Sequence, residues 1–263
     1  MSDLNFNCTQ CGKCCNDLRL PLTRKEAIDW LKLGGSVEVL CEAVPWVTEP
    51  ATTDAVAMHK RRRSFSTLSG ELPIRVIAVL TATFTGACPH LRSDMRCGIY
   101  DSRPHVCRIY PAEVNPFIPL SPDRKKCPPE AWTSSNPFMR AGKVVDAQTQ
   151  LHITLLQHED QLDVAFKAKA CEELAIRSAG LSNEGFVVHR PSSATLLSVL
   201  QRDATIEDGK PPASNWELVT NQATTLEALR HVGAKPLYTT TTAAGALHYL
   251  GFRPDSPPTV SPS

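Results

Sequence analysis

Hydrophobic positions along this chain fall into short groups with different spacings. In LPLTRKEAIDWLKLGG, the apolar residues Ala27, Ile28, Trp30 and Leu31 recur at helical spacing. Thr23 with Glu26 three residues later makes a capping-box pair, and Gly34-Gly35 supplies a stop, so a short helix is predicted just after an N-terminal run of cysteines. Residues 64–85 read as a hairpin: SFSTL, a turn at Ser69-Gly70-Glu71, then a strand in which Ile74, Val76, Ala78 and Leu80 alternate. Residues 141–178 predict the longest helix, with Leu151, Leu155, Leu162 and Phe166 as its stripe and Gly180 as its stop. Short helices are expected at SSATLLSVLQRD and TTLEALRHVG, and the prolines and serines of RPDSPPTVSPS predict a disordered tail.

Between 86 and 133 the pattern disappears. Eight prolines and four cysteines stand there, which excludes long helices and central strands. Such a segment needs a cross-link to stay ordered, and bound metal is the natural one. The expected fold is therefore α+β. Residues 1–135 would form an irregular, metal-stapled domain with a hairpin and a short helix. A helical segment at 136–182, a small C-terminal region at 183–252 and a disordered tail at 253–263 would follow.

Composition narrows the function classes. The chain has 263 residues, 42% of them hydrophobic, and a net charge of +1, which fits a globular protein and argues against one built around nucleic acid. Aliphatic runs such as VIAVL at 76–80 are too short to span a bilayer, and no lipidation signal is visible. The opening MSDLNFN is mostly polar and does not read as a secretory leader, so a cytoplasmic location is expected. The basic run His59-Lys60-Arg61-Arg62-Arg63 reads as a solvated turn or edge strand, with an anionic partner as the alternative.

The candidate chemistry lies in the cysteines. Of ten, eight form the candidate set: Cys8, Cys11, Cys14, Cys15, Cys88, Cys97, Cys107 and Cys127. In a reducing compartment this spacing reads as a thiolate metal site rather than as disulfides. Four thiolates suit Zn²⁺ or the iron of an iron–sulfur cluster, and C-x2-C steps let two sulfurs reach one metal across a turn at Gly12. The triple Cys8, Cys11, Cys14 with Cys88-Pro89 or Cys127-Pro128 also matches the ferredoxin pattern of a distant fourth cysteine before proline. Because neighbouring side chains diverge, Cys14 and Cys15 are expected to serve different metals, giving two four-sulfur sites. Arg92, Arg96, Arg103, Arg108, Arg124, Lys125 and Lys126 outnumber nearby acids and would favour ionised sulfur.

These motifs are recognisable together. The run Cys8-x2-Cys11-x2-Cys14-Cys15, then CPHL at 88–91, CGIY at 97–100 and RPxxCRIYP at 103–111, resembles the YkgJ-type cysteine-cluster family over about residues 5–133. The resemblance implies a zinc- or iron-chelating domain whose ligands are these cysteines, with Cys127 a frequent trailing member. Flagellin lysine N-methylases are similar to this chain in the cysteine region alone, and for that branch an iron–sulfur centre is implied. No glycine-rich loop for S-adenosylmethionine is present.

Other residues have blander readings. Cys41 and Cys171 read as small buried hydrophobes. His90 and His105 stand close to ligand positions and read as outer neighbours of the ligands or as surface groups, with replacement of a thiolate as the alternative, and His152 and His158 read as core or surface histidines. Tyr100, Arg103-Pro104, Arg108 and Tyr110 read as the packed shell of the site. No serine-based triad, P-loop or dinucleotide fingerprint occurs. The functions left are a metal-binding module, an iron–sulfur enzyme of redox or protein-modifying type, and a zinc-stapled module that binds a protein partner.

Overall fold

The computed structural model describes residues 3–202, 215–240 and 248–257. In chain order its elements are β1 (Leu4–Asn5), β2 (Arg19–Leu22), α1 (Arg24–Lys32), β3 (Ser36–Pro45), α2 (Ala55–Arg62), β4 (Phe65–Ser69) and β5 (Leu72–Thr83). Then come α3 (His105–Ile109), β6 (Pro137–Arg140), β7 (Lys143–Val144), α4 (Ala147–Leu162), α5 (Val164–Glu173), β8 (Ser178–Leu181) and β9 (Gly185–His189). The series ends with α6 (Ser193–Leu200), β10 (Glu217–Thr220), α7 (Ala223–His231), β11 (Pro236–Tyr238) and β12 (His248–Gly251). Mixed helices and sheets make this an α+β chain.

Two compact units emerge, each built from separate stretches. One combines Met1–Ser36 with Thr81–Asp160, the other Val37–Leu80 with Gln161–Ser263. The sequence reading placed its cut near residue 135, because strand pairing between distant segments leaves no local mark.

In the first unit, the predicted helix α1 forms as its ends dictate. The Thr23 side chain accepts the Glu26 N–H and the Glu26 side chain accepts the Thr23 N–H. The helix gives out before Gly34, whose φ of +82° suits glycine alone at no cost, and Gly35, where a Cβ would strike the Trp30 indole at 2.2 Å. A small core holds the proline-rich stretch: Phe6, Ile109, Ala112, Ala131, Phe138 and Leu156 are all buried together. Burying one such large side chain contributes roughly 1.5–3 kcal/mol. The stretch thus has apolar anchors of its own besides any metal.

The second unit is a mixed sheet with helices. Its strand order runs β11-β10-β8-β3-β5, with β4 on β5, β9 on β3 and β12 on β9. The β4–β5 hairpin follows the predicted turn. Gly70 there has a φ of +59°, and a Cβ would meet the Gly233 carbonyl at 2.1 Å. β10, α7 and β11 form a parallel β-α-β unit, with Leu218 opposite Pro236. Strand β3 is buried on both faces, so its sequence SVEVLCEAVP lacks the alternation that would have betrayed it.

Three expectations change. The long helix is two, α4 and α5, parted at Asp163, and Leu151 and Leu162 are exposed rather than buried. Gly180 sits inside β8 instead of ending a helix. The basic run is the last turn of α2, where cations meet the helix's negative end, with Arg61 paired to Glu49 at 3.1 Å. Within the expected tail, the Ser256 N–H donates to the Asn221 carbonyl at 2.8 Å, while 258–263 lie outside the described residues. Among the described residues, no helix is long and apolar enough to cross a membrane.

Candidate metal centre

The N-terminal cysteines issue from the core of their unit. Phe6 packs its ring 4.9 Å from Trp132 and 5.3 Å from Phe138, and the Asn7 N–H donates to the Ala131 carbonyl at 2.8 Å. Cys8 follows immediately, its sulfur accepting the Gln10 N–H at 3.4 Å. The chain then turns sharply at Gly12, whose φ is +69° and whose added Cβ would lie 2.7 Å from the Met95 carbonyl oxygen. The Cys15 N–H closes that turn on the Gly12 carbonyl at 2.9 Å. As a result the sulfurs of Cys14 and Cys15 stand 3.9 Å apart. Adjacent side chains were expected to diverge; the turn brings these together.

The later cysteines are tied back to this run. Asn16 and Ala87 form an antiparallel bridge, and the Cys88 N–H donates to the Cys15 carbonyl at 2.8 Å. From Cys88 a tight loop returns, with the Gly98 N–H on the His90 carbonyl at 2.7 Å and a bridge between Leu91 and Cys97. Cys107 sits on α3, whose first residue, His105, gives its N–H to Glu26 Oε1 at 2.6 Å. Before Cys127, the Lys126 N–H donates to the Tyr110 hydroxyl at 2.9 Å.

Cys8, Cys11, Cys14, Cys107 and Cys127 line one cavity of about 390 Å³. Cys15 adjoins Cys14 behind that lining. Cys88 and Cys97 also lie outside the lining, although their charges bear on Cys107. Among the described residues, no three His, Cys, Asp or Glu side chains are gathered tightly enough to grip an ion as they stand. Five of the eight candidate thiols share one space without closing on it.

Electrostatics mark Cys14 as the hub. Its pKa is lowered to about 7, first by the Cys15 thiol that hydrogen-bonds it, then by its own backbone N–H and by Arg103 and Lys126, with burial opposing. Cys15 is driven up by the same hydrogen bond, then by burial and the charges of Cys14, Cys88 and Cys107. The pair therefore loses one proton readily and holds the other. Burial pushes Cys107 up to about 12 and Cys127 up to about 11. Buried thiols crowded near one another pay to ionise alone, and a cation among them removes that penalty.

The donor chemistry fits such a cation. Soft sulfur is the ligand type of zinc and iron–sulfur sites. Arg103, Arg108 and Lys126 share the cavity wall. The Arg103 guanidinium lies 3.9 Å over the Tyr100 ring, and its Nε is buried with no hydrogen-bond partner among the described residues. A buried orphan donor beside thiols is the complement of anionic, metal-bound sulfur.

Two histidines set aside by the sequence reading belong here. His152 reaches the cavity wall from α4, and its Nδ1 lies 2.9 Å from Nδ1 of His105. Burial lowers its pKa, as do Arg108, His105 and Arg103. The signal in sequence was the inward face of α4, formed by Thr149, His152, Ile153 and Leu156 rather than by the expected leucines. His158 is exposed, and His90 packs edge-on against Trp30 at 4.9 Å. Cys41 and Cys171 are buried in the other unit.

Nothing among curated proteins or solved structures matches the chain. A protein-family model does. Residues 7–128 match the CxxCxxCC family, described as "Putative zinc- or iron-chelating domain", which is the family that the cysteine motifs resemble.

Proposed function

We propose that this protein holds zinc, or iron in an iron–sulfur cluster, through thiolates drawn from Cys8, Cys11, Cys14, Cys15, Cys88, Cys97, Cys107 and Cys127. The observation that carries this reading is the shared cavity: cysteines from both the N-terminal run and the later segment face it, beside three cations. The matched family is described as chelating the same two metals. Binding would draw the sulfurs inward from their open arrangement and displace their protons.

The Cys14–Cys15 spacing bears on metal type. In a regular tetrahedron with Zn–S bonds of about 2.3 Å, sulfurs lie about 3.8 Å apart. The observed 3.9 Å suits two sulfurs on one ion. That suits a single-ion thiolate site, or a cluster of the [2Fe–2S] kind with two cysteines on each iron, better than a [4Fe–4S] cluster with one cysteine per iron. Elemental analysis and acid-labile sulfide, measured on protein purified without air, test the reading. Bound zinc without sulfide supports the single-ion form, iron with sulfide supports the cluster, and folded protein without metal removes both.

A second reading has its own observation. A cavity of about 390 Å³ is larger than a closed ion site needs and falls within the range of small-ligand pockets, roughly 300–1,000 Å³. An enzyme with an exposed metal face would use that room. It predicts an oxygen-sensitive, coloured protein; colourless protein with tightly held zinc and sulfur ligands alone opposes it.

A further inference from the structure

On the reading that these thiols hold a metal, we propose that His152 supplies a nitrogen ligand to the centre and that His105 fixes its orientation. Four observations lead there. His152 faces the same cavity as Cys8, Cys11, Cys14, Cys107 and Cys127. Its Nδ1 is taken up by His105 Nδ1 at 2.9 Å. The other ring nitrogen of His105, Nε2, lies 4.0 Å from both Glu26 Oε1 and Glu159 Oε1. The backbone of His105 is itself held by Glu26 at 2.6 Å.

The carboxylates decide the tautomers. At 4.0 Å neither carboxylate hydrogen-bonds His105 Nε2, but two negative charges on that side favour the proton on Nε2 rather than on Nδ1. His105 Nδ1 is then an acceptor, and the N–H of the close pair belongs to His152 Nδ1. That leaves His152 Nε2 unprotonated, with its lone pair as the one remaining donor on the ring. A ligating imidazole ordinarily gives its second N–H to a partner that sets its tautomer, and His105 with its carboxylates supplies that partner. His152 lies beyond the matched residues 7–128, so the motif alone does not reveal it.

One chemical consequence follows. A neutral imidazole in place of a thiolate leaves the centre one unit less negative, which makes a bound ion a stronger electrophile and raises the potential of a redox metal.

X-ray absorption at the edge of the metal bound to the 263-residue protein, purified without air, tests the proposal. The wild type is expected to show sulfur together with one imidazole shell. In His152→Ala that shell disappears and affinity falls at least tenfold. In His105→Ala the shell persists while affinity falls about 10- to 100-fold. His158→Ala, on the exposed side of the same helix, should change neither. A wild-type spectrum with sulfur alone overturns the histidine ligand and leaves the metal centre standing. A protein without metal overturns both. Because the wild-type spectrum decides, a variant that fails to fold does not blunt the test.

Discussion

Glu26 joins two distant parts of the chain through a single carboxylate: its Oε1 accepts the His105 N–H at 2.6 Å, and its Oε2 accepts the Thr23 N–H at 2.9 Å. The cap of α1 is thereby also the anchor of the short helix that carries Cys107. A residue readable from sequence as a helix-starting device thus helps to position a candidate ligand 81 residues away (107 less 26).

Glu26→Ala should therefore cost about 1–3 kcal/mol of stability, since both N–H groups lose a charged acceptor. Urea denaturation reads this directly. Metal affinity should fall as well, because Cys107 loses its tether. Unchanged values for both would remove the anchoring role.

Gly12→Ala should do more harm than Gly34→Ala. Both glycines have positive φ, so each change carries roughly 1 kcal/mol of backbone strain. At Gly12 the new Cβ also meets the Met95 carbonyl at 2.7 Å, whereas at Gly34 no atom of the described residues lies within 4 Å. Metal bound per chain should drop in the first variant alone. Equal loss in both would mean that the turn at Gly12 has no special part in the site.

Cys14→Ser and Cys41→Ser should separate binding from packing. The first removes the thiol that neighbours Cys15, Cys88, Cys107 and Cys127, and should abolish or sharply weaken metal binding. The second buries a hydroxyl in the other unit, costing about 1–3 kcal/mol, with metal content unchanged. Metal loss in Cys41→Ser would contradict the assignment.

His189 predicts an acid-side slope. Its ring Nε2–H donates to the Ser178 carbonyl at 2.8 Å, and burial lowers its pKa from 6.5. The unfolded chain therefore binds this proton before the folded chain does. Stability is full above pH 6.5 and declines as pH falls through the lowered folded value. Chemical denaturation between pH 7 and 5 should show this slope, and His189→Gln should flatten it. A slope of the same size in the variant would assign it elsewhere.

Local signals were legible and distant pairings were not. Thr23 and Glu26 announced α1, and Ser69-Gly70-Glu71 announced the hairpin, because caps and turns are written in neighbouring residues. The strands β8 to β12 escaped notice: each is short, and none pairs through a tight turn with its neighbour in sequence. The helical stripe was misassigned because Leu151 and Leu162 face outward while Leu156 faces the core. Spacing was enough to nominate the eight cysteines as candidates. What spacing could not supply was that Cys14 and Cys15 converge, or that His152, on a helix beyond the motif, shares their cavity.

The most direct measurement is the alkylation of individual cysteines, followed by mass spectrometry, in metal-loaded protein and after stripping by a chelator. The account predicts that cysteines of 8–15 and of 88–127 are protected together and become reactive together, while Cys41 and Cys171 stay buried in both states. Reactivity that stripping leaves unchanged, or release confined to one of the two stretches, would contradict a metal held between them.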